Sequence, residues 1–127
     1  MEINVLTYNV CWECMKGEGN IGSAKLYGKK CSKTKKINGK NLCYRNVLKI
    51  TSSSVNYDII GLQEANLKLA NNILRELGPH YKKISSRSCK EYSIILYNSL
   101  IFKKIGGKID GFIEECGRPY LIQKFLN

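Results

Sequence analysis

The stretch NYDIIGLQEA, Asn56 to Ala65, decides the fold. Ile59, Ile60, Gly61 and Leu62 make a short run of apolar or small residues, the pattern of a buried strand. The run stops abruptly on Gln63 and Glu64, and the chain then turns polar. A buried strand that ends on a carboxylate holds that charge in a fixed place. A second strand, Ile3 to Tyr8, ends in a similar way on Asn9. Between the two, Asn41 is placed to cap a helix from about Leu42 to Ser53, with Leu42, Val47, Leu48 and Thr51 as a weak apolar face. Strand, helix and strand make a βαβ unit, whose strands run parallel through a right-handed crossover. Parallel strands bring their carboxyl ends to one edge, and open α/β sheets bind ligands beyond that edge. Asn9 and Glu64 are therefore expected to converge there. An amide oxygen and a carboxylate are hard ligands that suit Mg²⁺. The plainer reading of Glu64 is an acid near a helix N-terminus, favourable next to the helix dipole.

Outward from this unit the pattern is simple. Asn66 caps a helix in which Leu67, Ala70, Ile73, Leu74 and Leu77 share one face, and Gly78-Pro79 stops it. Strands follow at Tyr81 to Ser85, Tyr92 to Tyr97, Leu100 to Lys108 and Tyr120 to Phe125, with turns at Asn98-Ser99 and Gly106-Gly107. Trp12 to Lys40 has no apolar period and reads as a long loop. The chain is thus α/β, with a mixed sheet and helices on one face, and residues 1–127 form one domain. The length, 127 residues, suits one domain, and 43% hydrophobic with 24% charged residues is ordinary globular composition.

The net charge is +11. Seven lysines and no acid lie between Lys25 and Lys40, which favours phosphate-rich partners, Lys29 and Lys30 among the candidate contacts. The plainer reading is a solvated loop whose lysines aid solubility. No apolar run approaches the ~20 residues of a membrane span. MEINVLTYNV reads as a strand rather than a signal peptide, so an intracellular protein is expected. On that basis the six cysteines are expected to be reduced. The Cys11-x-x-Cys14 pair with Cys31 and Cys43 keeps a disulfide or a zinc site as alternatives. His80, just past a helix stop, reads as a surface turn residue. Glu13 reads first as an exposed loop acid, with approach to the metal edge as the alternative. Arg45 reads as an ion-pair residue, and Tyr97 as core or cleft. Arg118, before Pro119 at a strand start, is a candidate bidentate phosphate contact.

Thr7-Tyr8-Asn9-Val10 and Asp58-Ile59-Ile60-Gly61-Leu62-Gln63-Glu64 resemble the first two motifs of the endonuclease/exonuclease/phosphatase superfamily, and EYSIILYNS and GRPYLIQKF resemble later strands more loosely. The resemblance implies the N-terminal half of a four-layer, deoxyribonuclease-like α/β sandwich, with a long basic insertion at about 12–41. It implies that Glu64 binds Mg²⁺ (or Mn²⁺), that Asn9 sits beside the metal and the scissile phosphate, and that Gln63 supports them. The implied activity is Mg²⁺-dependent phosphodiester or phosphomonoester hydrolysis, read first as a nuclease, with nucleic acid or another phosphoester as the substrate. The alternative is a non-catalytic half-domain that binds nucleic acid or a protein partner. The superfamily's Gly-Asp-x-Asn and Ser-Asp-His motifs are absent from these 127 residues. The catalytic set is thus incomplete in this chain, and the expectation is either a second polypeptide that completes the fold or a longer protein of which this chain is a fragment.

Overall fold

A computed structural model describes residues 1–17 and 19–127. The elements run β1 (Val5–Asn9), α1 (Trp12–Lys16), α2 (Gly22–Ser32), α3 (Leu42–Thr51), β2 (Ile59–Ala65), α4 (Leu67–Leu77), β3 (Tyr81–Ser85), β4 (Tyr92–Asn98), β5 (Lys103–Glu114) and β6 (Gly117–Leu126). The first four strands form one mixed sheet in the order β1-β2-β4-β3, and β5 and β6 form a separate antiparallel pair. β1 and β2 are parallel, with Val5 opposite Ile59 and Asn9 opposite Gln63. β4 runs antiparallel to both β2 and β3.

Alternation along the strands divides the side chains between two faces. Ile60, Leu62, Ile94 and Leu96 point to the helices and are at most 1% exposed. Against them pack Val47 of α3, and Leu69, Ala70 and Ile73 of α4. α4 is an amphipathic helix begun by Asn66, whose side chain accepts from the Leu69 N–H at 2.8 Å. α3 is begun by Asn41, whose Oδ1 accepts from the Tyr44 N–H while its Nδ2 donates to the Met15 carbonyl. Its buried residues are Tyr44, Val47 and Thr51, whereas Leu42, expected on the apolar face, is exposed. On the opposite side of the sheet Ile84 and Tyr97 pack with Phe102, and Ile59, Ile95, Leu121 and Phe125 lie against them. The Tyr97 and Phe125 rings are 4.9 Å apart, so Tyr97 belongs to the core.

Four expectations need correction. The stretch read as a loop from Trp12 to Lys40 contains α1 and α2. Their apolar periodicity is weak because cross-links and α3 fix them, not a continuous apolar stripe. The cysteines are not reduced: Cys11 pairs with Cys14, Cys31 with Cys43, and Cys89 with Cys116. Such bonds persist in oxidising surroundings, a condition the intracellular expectation did not include. Gly106-Gly107 does not turn the chain. β5 continues through it with a register shift between Ile105 and Ile109, and Gly106 takes φ +69° there, which glycine adopts freely. Arg45 donates to the Lys35 carbonyl at 2.9 Å rather than to a carboxylate.

Candidate phosphoester cleft

Asp58 accepts from the Asn4 N–H at 2.9 Å through Oδ2. This bond locks the start of β2 to the approach into β1. The aspartate of the Asp-Ile-Ile run therefore has a structural task. It fixes the register that puts Asn9 beside Gln63 at the other end. Gln63 is held from the β1 side, with its Nε2 3.2 Å from Thr7 Oγ1.

At Glu64 the strand departs from regular geometry. The pairing of β2 with β4 shifts register between Leu62 and Ala65, and Glu64 takes φ +49°. A non-glycine residue rarely adopts this conformation, which costs of order 1–3 kcal/mol and collects at functional sites. A bulge re-aims the side chain it carries. Glu64 here lines two adjoining cavities of about 300 and 270 Å³. Both are also lined by Glu91, Arg118 and Pro119. Asn9 and Gln63 line the smaller, and Glu13 the larger. The expected convergence of Asn9 and Glu64 at the carboxyl edge is therefore present in the geometry, and Arg118 joins them. Glu13 also lines this cleft, from the short helix α1.

Lys29 and Lys30 line neither cavity. They lie on α2, which Cys31–Cys43 ties to α3 on the helical side, and Lys30 sits over the Tyr27 ring. A mobile loop would have let them swing to the edge; a tethered helix does not.

Glu91 was not anticipated. A topological signal for it exists: the amino end of a strand antiparallel to β2 lies at the same edge as the carboxyl end of β2. Ala65 faces Tyr92, so the residue before Tyr92 must sit at the cleft. Burial raises the Glu91 pKa above its ordinary value, and the neighbouring Glu64 and Glu13 carboxylates raise it further. Arg118 and Lys90 oppose the shift.

The donors at the cleft decide whether it suits the expected metal. Glu64 is a hard oxygen group lining the cleft, which fits Mg²⁺ or Mn²⁺ bound through one or two carboxylates and several waters. Among the described residues no three His, Cys, Asp or Glu side chains are grouped closely enough to form a cage. Asn9 Oδ1 already accepts from the Cys11 N–H at 3.0 Å. Its free amide hydrogens make it a donor suited to a phosphate oxygen.

The fold matches that of a solved sugar phosphatase. The match is to the mannosyl-6-phosphatase of Bacteroides thetaiotaomicron, with a TM-score of 0.58 and 20% identity, over 98% of this chain and 46% of that one. The chain thus spans about half the length of the solved structure it matches. At this identity the likeness establishes the fold, a mixed α/β sheet with helices plus an antiparallel hairpin. No family model and no curated protein matches the sequence. The expected membership of the endonuclease/exonuclease/phosphatase superfamily, with its deoxyribonuclease-like reading, is corrected by the structural match, which is to a phosphatase by name. Short strand-end motifs report local edge geometry, and that geometry does not fix a family.

Proposed function

We propose that this chain carries the phosphate-binding edge of a metal-assisted phosphomonoester hydrolase. One observation carries the reading: a carboxylate, Glu64, is aimed by a strained bulge into a cleft shared with Arg118 and Asn9. The likeness in fold to a sugar phosphatase supports the monoester class and gives no support to a nuclease. Glu64 would hold Mg²⁺ or Mn²⁺ as a carboxylate ligand to an ion that keeps several waters, and such an ion neutralises charge on a phosphate oxygen. Arg118 presents a planar fork of donors to the phosphate. Asn9 adds an amide donor, and Gln63, braced on Thr7, fixes the strand end beneath it. Binding and orienting the phosphate are the tasks these residues perform.

The finer architecture is half of a layered sandwich. The chain aligns with less than half of the matched structure. The outer face of the β5–β6 hairpin is apolar, with Ile109, Ile113, Tyr120 and Ile122 all exposed. Both facts favour a second sheet, supplied by further polypeptide, that covers this face.

The test is phosphate release from hexose 6-phosphates and from a short DNA duplex, with Mg²⁺ and with chelator. Mg²⁺-dependent release from the monoester, reduced at least about 100-fold in Glu64→Gln, is the expected result. Release that survives the substitution, or cleavage of the DNA alone, overturns the reading.

A further inference from the structure

On the helical side a further cavity, of about 680 Å³, opens between α4 and the turn at 38–40 that leads into α3. Its size falls in the range of small-ligand sites. Lys40, Lys68 and Arg75 line it with Asn71, Asn72 and Tyr44. No carboxylate lines it, and among the described residues none pairs with these three cations. α3 and α4 both descend from the carboxyl edge of the sheet, since each precedes or follows a strand parallel to β1. Their partly positive N-terminal ends therefore lie at the same end of the groove.

The polar groups here are arranged as donors. Lys83 donates to Asn71 Oδ1 at 2.7 Å, which occupies the acceptor and leaves the Asn71 amide hydrogens for a ligand. Arg75 donates to Asn72 Oδ1 at 3.2 Å through Nη1, and its remaining N–H groups stay available. Asn72 in turn donates to the Tyr44 hydroxyl. The groove thus joins two flexible ammonium groups and a guanidinium held in place by a side-chain network. The aromatic in it offers no stacking surface: Tyr44 is 8% exposed, and Lys40 lies over its ring. Nucleobases are bound on exposed aromatic faces, so the lining disfavours them. It suits phosphate oxygens with hydroxyl groups around them.

We propose that this groove is a second anion site, separate from the Glu64 cleft, which binds a small hydroxyl-rich phosphate ester such as a sugar phosphate. The inference rests on the groove's own residues and does not depend on the hydrolase reading.

The experiment is a titration of the ¹⁵N-labelled full chain, reading the side-chain amide resonances of Asn71 and Asn72. The probes are glucose 6-phosphate, glucose and a short single-stranded oligonucleotide. Glucose 6-phosphate is expected to shift both resonances saturably and glucose to leave them unmoved. Lys68→Ala with Arg75→Ala, both exposed positions, is expected to weaken that binding at least tenfold, while Glu64→Gln leaves it unchanged. Unmoved resonances, or equal affinity in the double variant, overturn the proposal. A response to the oligonucleotide and not to glucose 6-phosphate overturns the ligand class and makes the groove a nucleic-acid track. Loss of binding in Glu64→Gln places the ligand in the cleft instead.

Discussion

Glu91 shows how far a single residue can depart from what its sequence neighbours suggest. Its pKa is raised by burial first and by two carboxylates second. The sign of the linkage follows. A raised folded-state pKa stabilises the protein below the unfolded value of about 4.5. That contribution is lost as pH rises through the folded value. Glu91→Gln should therefore melt above the parent protein near neutral pH, measured in chelator, with the gap closing below pH ~4.5. A gap that persists at acid pH would show that packing, not charge, sets the difference. Asn41 makes a second residue-scale case. Its side chain both caps α3 and donates to the buried Met15 carbonyl. Asn41→Ala should cost about 1 kcal/mol for the cap and a further ~1–3 kcal/mol for the orphaned carbonyl. Asn66→Ala removes only a cap bond and should cost about 1 kcal/mol. Urea denaturation of the two variants compares them directly.

At the scale of elements, α4 and the β1–β2 pair were legible because one mechanism fixes each. Asn66, the apolar spacing from Leu67 to Leu77 and Gly78 agree on one helix. A continuous apolar run and a strand–helix–strand order agree on parallel pairing. Ile73 is fully buried in α4, and Ile73→Ala should cost about 2–5 kcal/mol. α2 was not legible, since nothing in Gly22 to Ser32 marks an apolar face and its position depends on a bond from Cys31 to Cys43. Removing that bond by Cys31→Ser with Cys43→Ser should cost about 2–4 kcal/mol. It should also raise amide exchange in α2 while leaving β2 protected, a contrast that hydrogen exchange resolves by element. The hairpin β5–β6 was half legible. Its strands alternate clearly, but the Gly106-Gly107 pair signalled a turn that tertiary pairing turned into a bulge. The cleft shows the same division. Asn9 and Glu64 follow from strand ends, whereas Glu13 and Glu91 depend on which elements meet at that edge.

For the molecule as a whole, the unequal faces matter most. The helices cover one side of the sheet, and the hairpin covers part of the other and turns its own apolar side outward. Val5 of β1 is 60% exposed and Ile122 of β6 is 53% exposed. Large exposed apolar areas mark surfaces that meet another polypeptide. Ile109→Lys with Ile122→Lys, two directly opposed residues, should reduce self-association of the chain in sedimentation velocity without lowering helix content. A parent chain that sediments as a monomer at high concentration would show that this face tolerates water. The net charge of +11 adds a repulsion between copies that salt screens, so any association should strengthen as salt is added.

The Cys89–Cys116 bond connects the chain just before Glu91 to the tip of the hairpin just before Arg118. Its two ends therefore carry the cleft's raised carboxyl and its guanidinium. A covalent tie at this point fixes the spacing of a carboxyl group just before β4 and a guanidinium on β6, which lie on separate sheets. The ordering of the mouth is then completed during folding and is not charged against each binding event, which is the thermodynamic meaning of preorganisation. Opening this one bond should leave every cleft residue in the protein and still lower phosphate affinity, through the entropy of a mouth that must be assembled each time.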